Sequence, residues 1–310
     1  MKTRTIARGA LAFVVLPILV GLVAVAAIRL LDRTNGSIVS SGRTRRYLVH
    51  VPPGYDPAKP TPLVISLHGA GGWPRQQQYL SQWSRLADAQ GFIVAYPAGT
   101  GFLQIWHVFR DAGLRRDVKF ISEMLDTLER SYDIDSTRIY VNGFSNGGGM
   151  AFVLSCTLSD RIAAIGVVAG AQTLPATWCE SRRPVPMIAF HGTADPIIPY
   201  KGGHSPLAPE IFPNLESWVS SWARRNRCES AAKDSSLSPD VTRREFTGCA
   251  DSANVVLYTI RDGGHTWPNG KPLPSLVVGK TTHEVDATRE MWKFFRSHTL
   301  DAERESSRKQ

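Results

Sequence analysis

Seven short apolar runs recur along this 310-residue chain, at residues 47–51, 63–67, 92–96, 139–141, 163–168, 186–190 and 255–260, with glycine or proline near their ends. Such punctuated runs predict strands. Between many of them lie stretches with apolar residues three and four apart, as in Val118-Ile121-Leu125-Leu128 and Leu215-Val219-Trp222, which is the spacing of a helix with one buried face. Alternation of this kind confines the chain to the α/β class, with a mainly parallel sheet covered by helices on both faces. A closing helix is predicted over residues 285–295. With 43% hydrophobic residues and no internal repeat, the chain can bury one large core, and a single catalytic domain is predicted over residues 43–298. A polar linker at 29–42 precedes it, and residues 299–310 are too polar to pack and form an expected disordered tail.

The N-terminus has the order of a signal segment. Lys2, Arg4 and Arg8 precede an uncharged apolar stretch that ends near Ile28, so residues 1–28 read as a signal peptide or a membrane anchor. Ala24-Val25-Ala26 resembles a cleavage site, while the run is nearly long enough to span a bilayer, and both readings stay open. Either places the domain outside the cytoplasm, secreted or anchored, with the basic residues on the inner side. No cysteine precedes Cys156, which rules out a lipid-modified cysteine at the export site. Export gives the four cysteines a meaning, since Cys156, Cys179, Cys228 and Cys249 can form disulfides in an oxidising compartment. Three pairings are possible. Nearness in sequence favours Cys156 with Cys179 and Cys228 with Cys249, but spacing establishes neither. No cysteine pair has the short spacing of a zinc ribbon, and no metal is expected. The net charge of +9 includes pairs such as Arg115-Arg116 and Arg243-Arg244 but forms no long or aromatic-rich basic stripe, so a solvated basic surface is expected and no nucleic-acid partner.

In an open α/β sheet, reactive groups gather beyond the carboxyl ends of the strands. Three such places carry suitable chemistry. Ser145 lies in Gly143-Phe144-Ser145-Asn146-Gly147, which fits G-x-S-x-G after the run 139–141, a pattern in which serine occupies a sharp strand-to-helix turn. Asp195 follows the run 186–190 in "HGTADPIIPY", and His265 follows the run 255–260 in "RDGGHTWPNG". A neutral serine is a poor nucleophile until an imidazole takes its proton, and a carboxylate fixes that imidazole's tautomer. Ser145 is therefore the expected nucleophile, His265 the base and Asp195 the acid. Asp262 competes with Asp195 but lies too near His265 along the chain. "LHGAGG" follows the run 63–67 where an oxyanion loop would lie, and the N–H groups of Ala70 and Asn146 are its expected donors. His68, in the same loop, is expected to be structural, and His50, His107, His204, His283 and His298 are expected to be structural or exposed. His191 adjoins the Asp195 loop and is expected to be structural too. Trp106 and Trp267 are candidate walls of the substrate pocket, with core packing the competing role. Asp117 reads as a carboxylate near a helix start.

Together, "LHGAGG", "YPAG", "RIYVNGFSNGG", "HGTADPIIPYKGG" and "GGHTWPNG" resemble the poly(3-hydroxybutyrate) depolymerase and feruloyl or acetylxylan esterase group of exported α/β-hydrolases, over residues 45–295. The resemblance implies the α/β-hydrolase fold, an exported serine carboxylic ester hydrolase with Ser145, Asp195 and His265 as its triad, and no metal or organic cofactor. It also implies an ester substrate, either 3-hydroxyalkanoate oligomers or an esterified polysaccharide, with membrane anchoring through the N-terminal segment left open. Many polymer-degrading members carry a cysteine where Ala70 stands, and the larger ones add a polymer-gripping domain. This chain has neither, which favours soluble esters, oligomers or substituted sugars. Two other readings stay open: a serine peptidase of the same fold, and a catalytically silent envelope-binding protein.

Overall fold

All seven predicted runs are strands of one ten-stranded sheet. The computed structural model describes residues 33–300 except 173, 180, 207 and 230, together with the side chains of those residues other than 176 and 208–210. The expected signal or anchor at 1–28 and most of the expected tail lie outside the described residues. In chain order the sheet strands are β1 (Gly36–Ser40), β2 (Arg43–His50), β3 (Thr61–Leu67), β4 (Ile93–Pro97), β5 (Ile134–Phe144), β6 (Ala164–Val168) and β7 (Met187–Gly192). A separate two-stranded hairpin, β8 (Gly203–Ser205) with β9 (Ala208–Phe212), precedes the last three, β10 (Lys233–Ser238), β11 (Val241–Phe246) and β12 (Val255–Ile260). Across the sheet the order is β1-β2-β4-β3-β5-β6-β7-β12-β11-β10. The six strands from β4 to β12 run parallel, and antiparallel pairs flank them on both sides.

The central strands are apolar along their whole length because both faces are covered. Leu63, Ile65 and Leu67 of β3 point into one core cluster, and Val64 between them points into the other. The first cluster is closed by α3 (Ala112–Ser131), α4 (Asn146–Thr157) and α5 (Leu215–Arg225). The second is closed by α2 (Trp83–Gln90), which follows α1 (Pro74–Ser81), and by α7 (Ala287–Phe295), which follows the short α6 (Ser275–Val278). Helix starts follow local chemistry. Asp111 accepts hydrogen bonds from the N–H of Gly113 and Leu114 at the head of α3, Asn214 from that of Ser217 in α5, and Asp286 from that of Arg289 in α7, each satisfying amides the helix leaves unpaired.

Two boundaries differ from the sequence reading. Residues 36–40, inside the expected linker, form β1 and pair with β2. The turn between them is Ser41-Gly42, with φ of 51° and 72°, the two left-handed residues that a tight hairpin needs. At the other end, the N–H of Leu300 donates to the Thr137 carbonyl at 2.9 Å, so the fold reaches past the expected start of the tail at 299. Strands β10 and β11 are also absent from the sequence reading. β10, "KDSSLS", is an edge strand with almost no buried residue and so has no apolar alternation to read.

Candidate active site

Strands β3 and β5 are neighbours, and their carboxyl ends carry the loop 68–72 and Ser145 respectively. Ser145 has φ 53° and ψ −119°, a strained conformation for a residue with a side chain. Two glycines make the turn possible. A Cβ on Gly143 would collide with the Gly147 backbone, and one on Gly147 with the carbonyls of Leu67 and His68. The Ser145 N–H donates to the Val168 carbonyl at 2.8 Å, and its own carbonyl accepts from Gly149 at 3.1 Å, which fixes the elbow between β5 and α4. Helix α4 is buried from Gly147 to Cys156, so the elbow stands on a helix held within the core.

Asp195 and His265 arrive from β7 and β12, parallel neighbours whose following loops are laced together. Thr193 N–H donates to the Ile260 carbonyl at 2.8 Å and Ala194 N–H to the Gly263 carbonyl at 3.0 Å. Across this lacing, His265 Nδ1 lies 2.8 Å from Asp195 Oδ2. The imidazole stands over the Phe144 ring, 5.0 Å between centroids, one residue from Ser145. Ser145 Oγ itself has no hydrogen bond among the described residues. Unbound sites commonly leave this bond loose.

The Asp195 carboxylate is buried. Burial alone would raise its pKa, but hydrogen bonds from His191 and His265 outweigh it and hold the carboxyl far below the usual range. Its Oδ1 also accepts from the N–H of Ile197 at 2.8 Å and of Ile198 at 2.9 Å. Asp262, the sequence competitor, is exposed, with its N–H bonded to Thr193 Oγ1.

The expected oxyanion donors lie on a scaffold the sequence did not reveal. The N–H groups of Ala70 and Asn146 have no partner among the described residues. The Asn146 side chain grips Trp106 at both ends, accepting from its N–H at 2.8 Å and donating to its carbonyl at 3.1 Å. Trp106 Nε1 in turn donates to the His68 carbonyl at 3.0 Å. His68 faces the Gly69 carbonyl through Nδ1 at 2.7 Å and accepts from the Gly99 N–H through Nε2 at 2.9 Å, which assigns its hydrogen to Nδ1. Burial pushes its pKa down to about 4. Behind this lattice, the buried Asp117 accepts from Arg45 at 2.8 Å and from the His107 N–H at 2.9 Å, while Arg45 also reaches the Ala98 carbonyl at 3.1 Å. Asp117 therefore holds the 106–107 segment instead of decorating a helix start.

Trp267 is a correction. It is 1% exposed, and its Nε1 donates to Thr288 Oγ1 at 2.9 Å within the core, so it fills the core and is no pocket wall. Trp106 is equally buried and backs the loop 68–72 from behind. Disulfides join Cys156 with Cys179 and Cys228 with Cys249. Among the described residues no group of histidine, cysteine or carboxylate side chains is arranged to hold a metal ion.

The sequence profile of the phospholipase/carboxylesterase family matches residues 108–207. NocK of Nocardia uniformis subsp. tsuyamanensis, assigned as an esterase, is 32% identical over 275 residues, covering 81% of this chain and 79% of NocK. Feruloyl esterase C of Emericella nidulans is 30% identical over 273 residues, covering 84% of this chain and 87% of its own. Among solved structures, the acetyl xylan esterase from Aspergillus awamori superposes with a TM-score of 0.59 at 18% identity, over 74% of this chain and 93% of that one. This last likeness is one of fold.

Proposed function

Since this chain belongs to the poly(3-hydroxybutyrate) depolymerase and feruloyl or acetylxylan esterase group of α/β-hydrolases and is a carboxylic ester hydrolase, we propose that Ser145 is its nucleophile, His265 its general base and Asp195 the acid that orients the base. The observation that carries this reading is the 2.8 Å contact of His265 Nδ1 with Asp195 Oδ2 beside the strained serine elbow. With its hydrogen on Nδ1, His265 presents the Nε2 lone pair. It takes the Ser145 hydroxyl proton as Oγ bonds to the ester carbonyl carbon. The negative charge that develops on the carbonyl oxygen is met by the free N–H groups of Ala70 and Asn146. Collapse of that intermediate breaks the bond to the alcohol oxygen, which leaves with the proton from His265. Water then attacks the acyl-enzyme by the same route in reverse and releases the acid.

The substrate class we infer is an esterified polysaccharide or 3-hydroxyalkanoate oligomer. Feruloyl esterase C as a relative supports the first. The setting we infer is outside the cytoplasm, supported by the two disulfides and by the basic-then-apolar order of the N-terminus. The test is hydrolysis of an ester panel (short and long p-nitrophenyl esters, methyl ferulate, acetylated xylan and 3-hydroxybutyrate oligomers) by the wild type and Ser145→Ala. Activity that disappears in the variant supports the assignment, and the preferred ester names the substrate. Full activity in Ser145→Ala would overturn it.

A further inference from the structure

The Asp195 carboxylate faces two imidazoles. On Oδ2, His265 Nδ1 lies at 2.8 Å and His191 Nε2 at 3.2 Å. His191 Nε2 also lies 2.8 Å from the Ile198 carbonyl oxygen. A carbonyl only accepts, so Nε2 carries the hydrogen and shares it between Ile198 O and the carboxylate. The opposite nitrogen, Nδ1, is buried and has no partner. A proton added there would be an interior N–H with no acceptor, which costs the full desolvation of that group. The site therefore admits the neutral Nε2–H form of His191. No nitrogen of His265 is sealed in this way.

We propose that His191 is a positioning residue for the Asp195–His265 pair. It pins the carboxylate to the turn 195–198 and draws off part of its charge, while the sealed Nδ1 bars His191 from taking the proton in place of His265. The proposal rests on the roles given above to Ser145, Asp195 and His265. The remaining titratable groups around His191 are few. Tyr200 stands edge-on with its ring centre 6.1 Å away, and its hydroxyl is turned to Thr259 at 2.8 Å and Glu216 at 3.0 Å. Glu216 is paired with Arg244 at 3.1 Å. The β12 residue in register with His191 is Thr259, and β6 contributes no titratable side chain.

A consequence for pH follows from the sharing of charge. Without the His191 donor, the carboxylate attracts the imidazolium of His265 more strongly, and the base stays protonated to higher pH. In His191→Phe, which keeps the ring and removes the donor, kcat on a small soluble ester is expected to fall about ten- to a hundredfold with KM unchanged, as for a misplaced catalytic group. The acid limb of its pH–rate profile is expected to move to higher pH. His191→Gln, which restores an N–H at similar reach, is expected to recover part of the rate and return the limb toward the wild type. A folded His191→Phe with wild-type kcat and an unmoved limb would overturn the proposal, as would His191→Gln behaving like Phe. Nitrogen NMR of the wild type labelled at histidine needs no variant to fold. His191 Nδ1 is expected to stay unprotonated while His265 titrates, and its protonation in the folded protein across that range also overturns the proposal. Ser145→Ala assayed alongside separates the two ideas, because activity surviving there sinks the assigned nucleophile, whereas the NMR reads the proton on His191 regardless.

Discussion

Asp195 accepts hydrogen bonds from His265, His191, Ile197 and Ile198, whereas Ser145 Oγ and the N–H groups of Ala70 and Asn146, across the same site, have no partner among the described residues. One side is closed on itself and the other is left open. The difference follows from what each side handles. In the proposed mechanism the acid and base handle a charge that must be held in place, so their partners come from the chain. In that mechanism the open donors serve a charge that exists only on bound substrate, and filling them internally would forfeit their use. Their positions must then be fixed from behind, and the lattice of His68, Trp106, Asn146 and Gly99 does this without touching the free amides.

The sharpest way to break this contrast is to damage the closed side. Asp195→Asn leaves the size of the side chain unchanged but removes the charge and favours the wrong tautomer of His265, and kcat is expected to fall by about 10³ to 10⁴. Steady-state kinetics on a p-nitrophenyl ester checks this, with circular dichroism to show the fold intact. A loss below about tenfold would mean that the closed side is structural. On the open side, Asn146→Ala keeps the backbone donor and deletes both bonds to Trp106, and kcat is expected to drop by up to about a hundredfold with little change in KM. A KM effect without a kcat effect would assign Asn146 to ground-state binding instead.

The smallest expected effect separates the two sides by pH. The folded pKa of His68 is lowered to about 4 from the ordinary 6.5, so the unfolded chain takes up that proton first. The stability contributed by the neutral ring is complete above about 6.5 and is lost as pH falls toward about 4. Asp195 is also depressed, so its contribution is present above the ordinary 3.8 and is lost only in stronger acid. The melting temperature is therefore expected to decline from about pH 6.5 downward in the wild type, and less steeply in His68→Gln. Parallel slopes in the two proteins would show that another group governs this range.

Much of this arrangement was legible in the sequence because its causes are local. A strand buried on both faces must be apolar throughout, a sharp elbow must have glycines at Gly143 and Gly147, and groups that follow parallel strands emerge at one edge of the sheet. Other features were not legible, since their causes join distant residues. Arg45 and Asp117 are 72 positions apart, and neither carries a motif. Ser41-Gly42 is a recognisable turn signal, yet the polar strand before it shows too little alternation to suggest a partner. Trp267 sits two residues from His265, but which way its ring points depends on Thr288 and the α7 face.

Residue types and their order along the chain thus determined the class of fold, seven of the ten sheet strands and the residues proposed to carry the reactive chemistry, because these follow from burial and from backbone geometry within a few residues. Only the tertiary structure decided which cysteines join, that His191 shares the carboxylate with His265, and that Trp106 braces a loop while Trp267 fills the core. Those outcomes depend on which side chains meet across the sheet, and a hydrogen bond between residues far apart in the chain leaves no mark on the spacing of either.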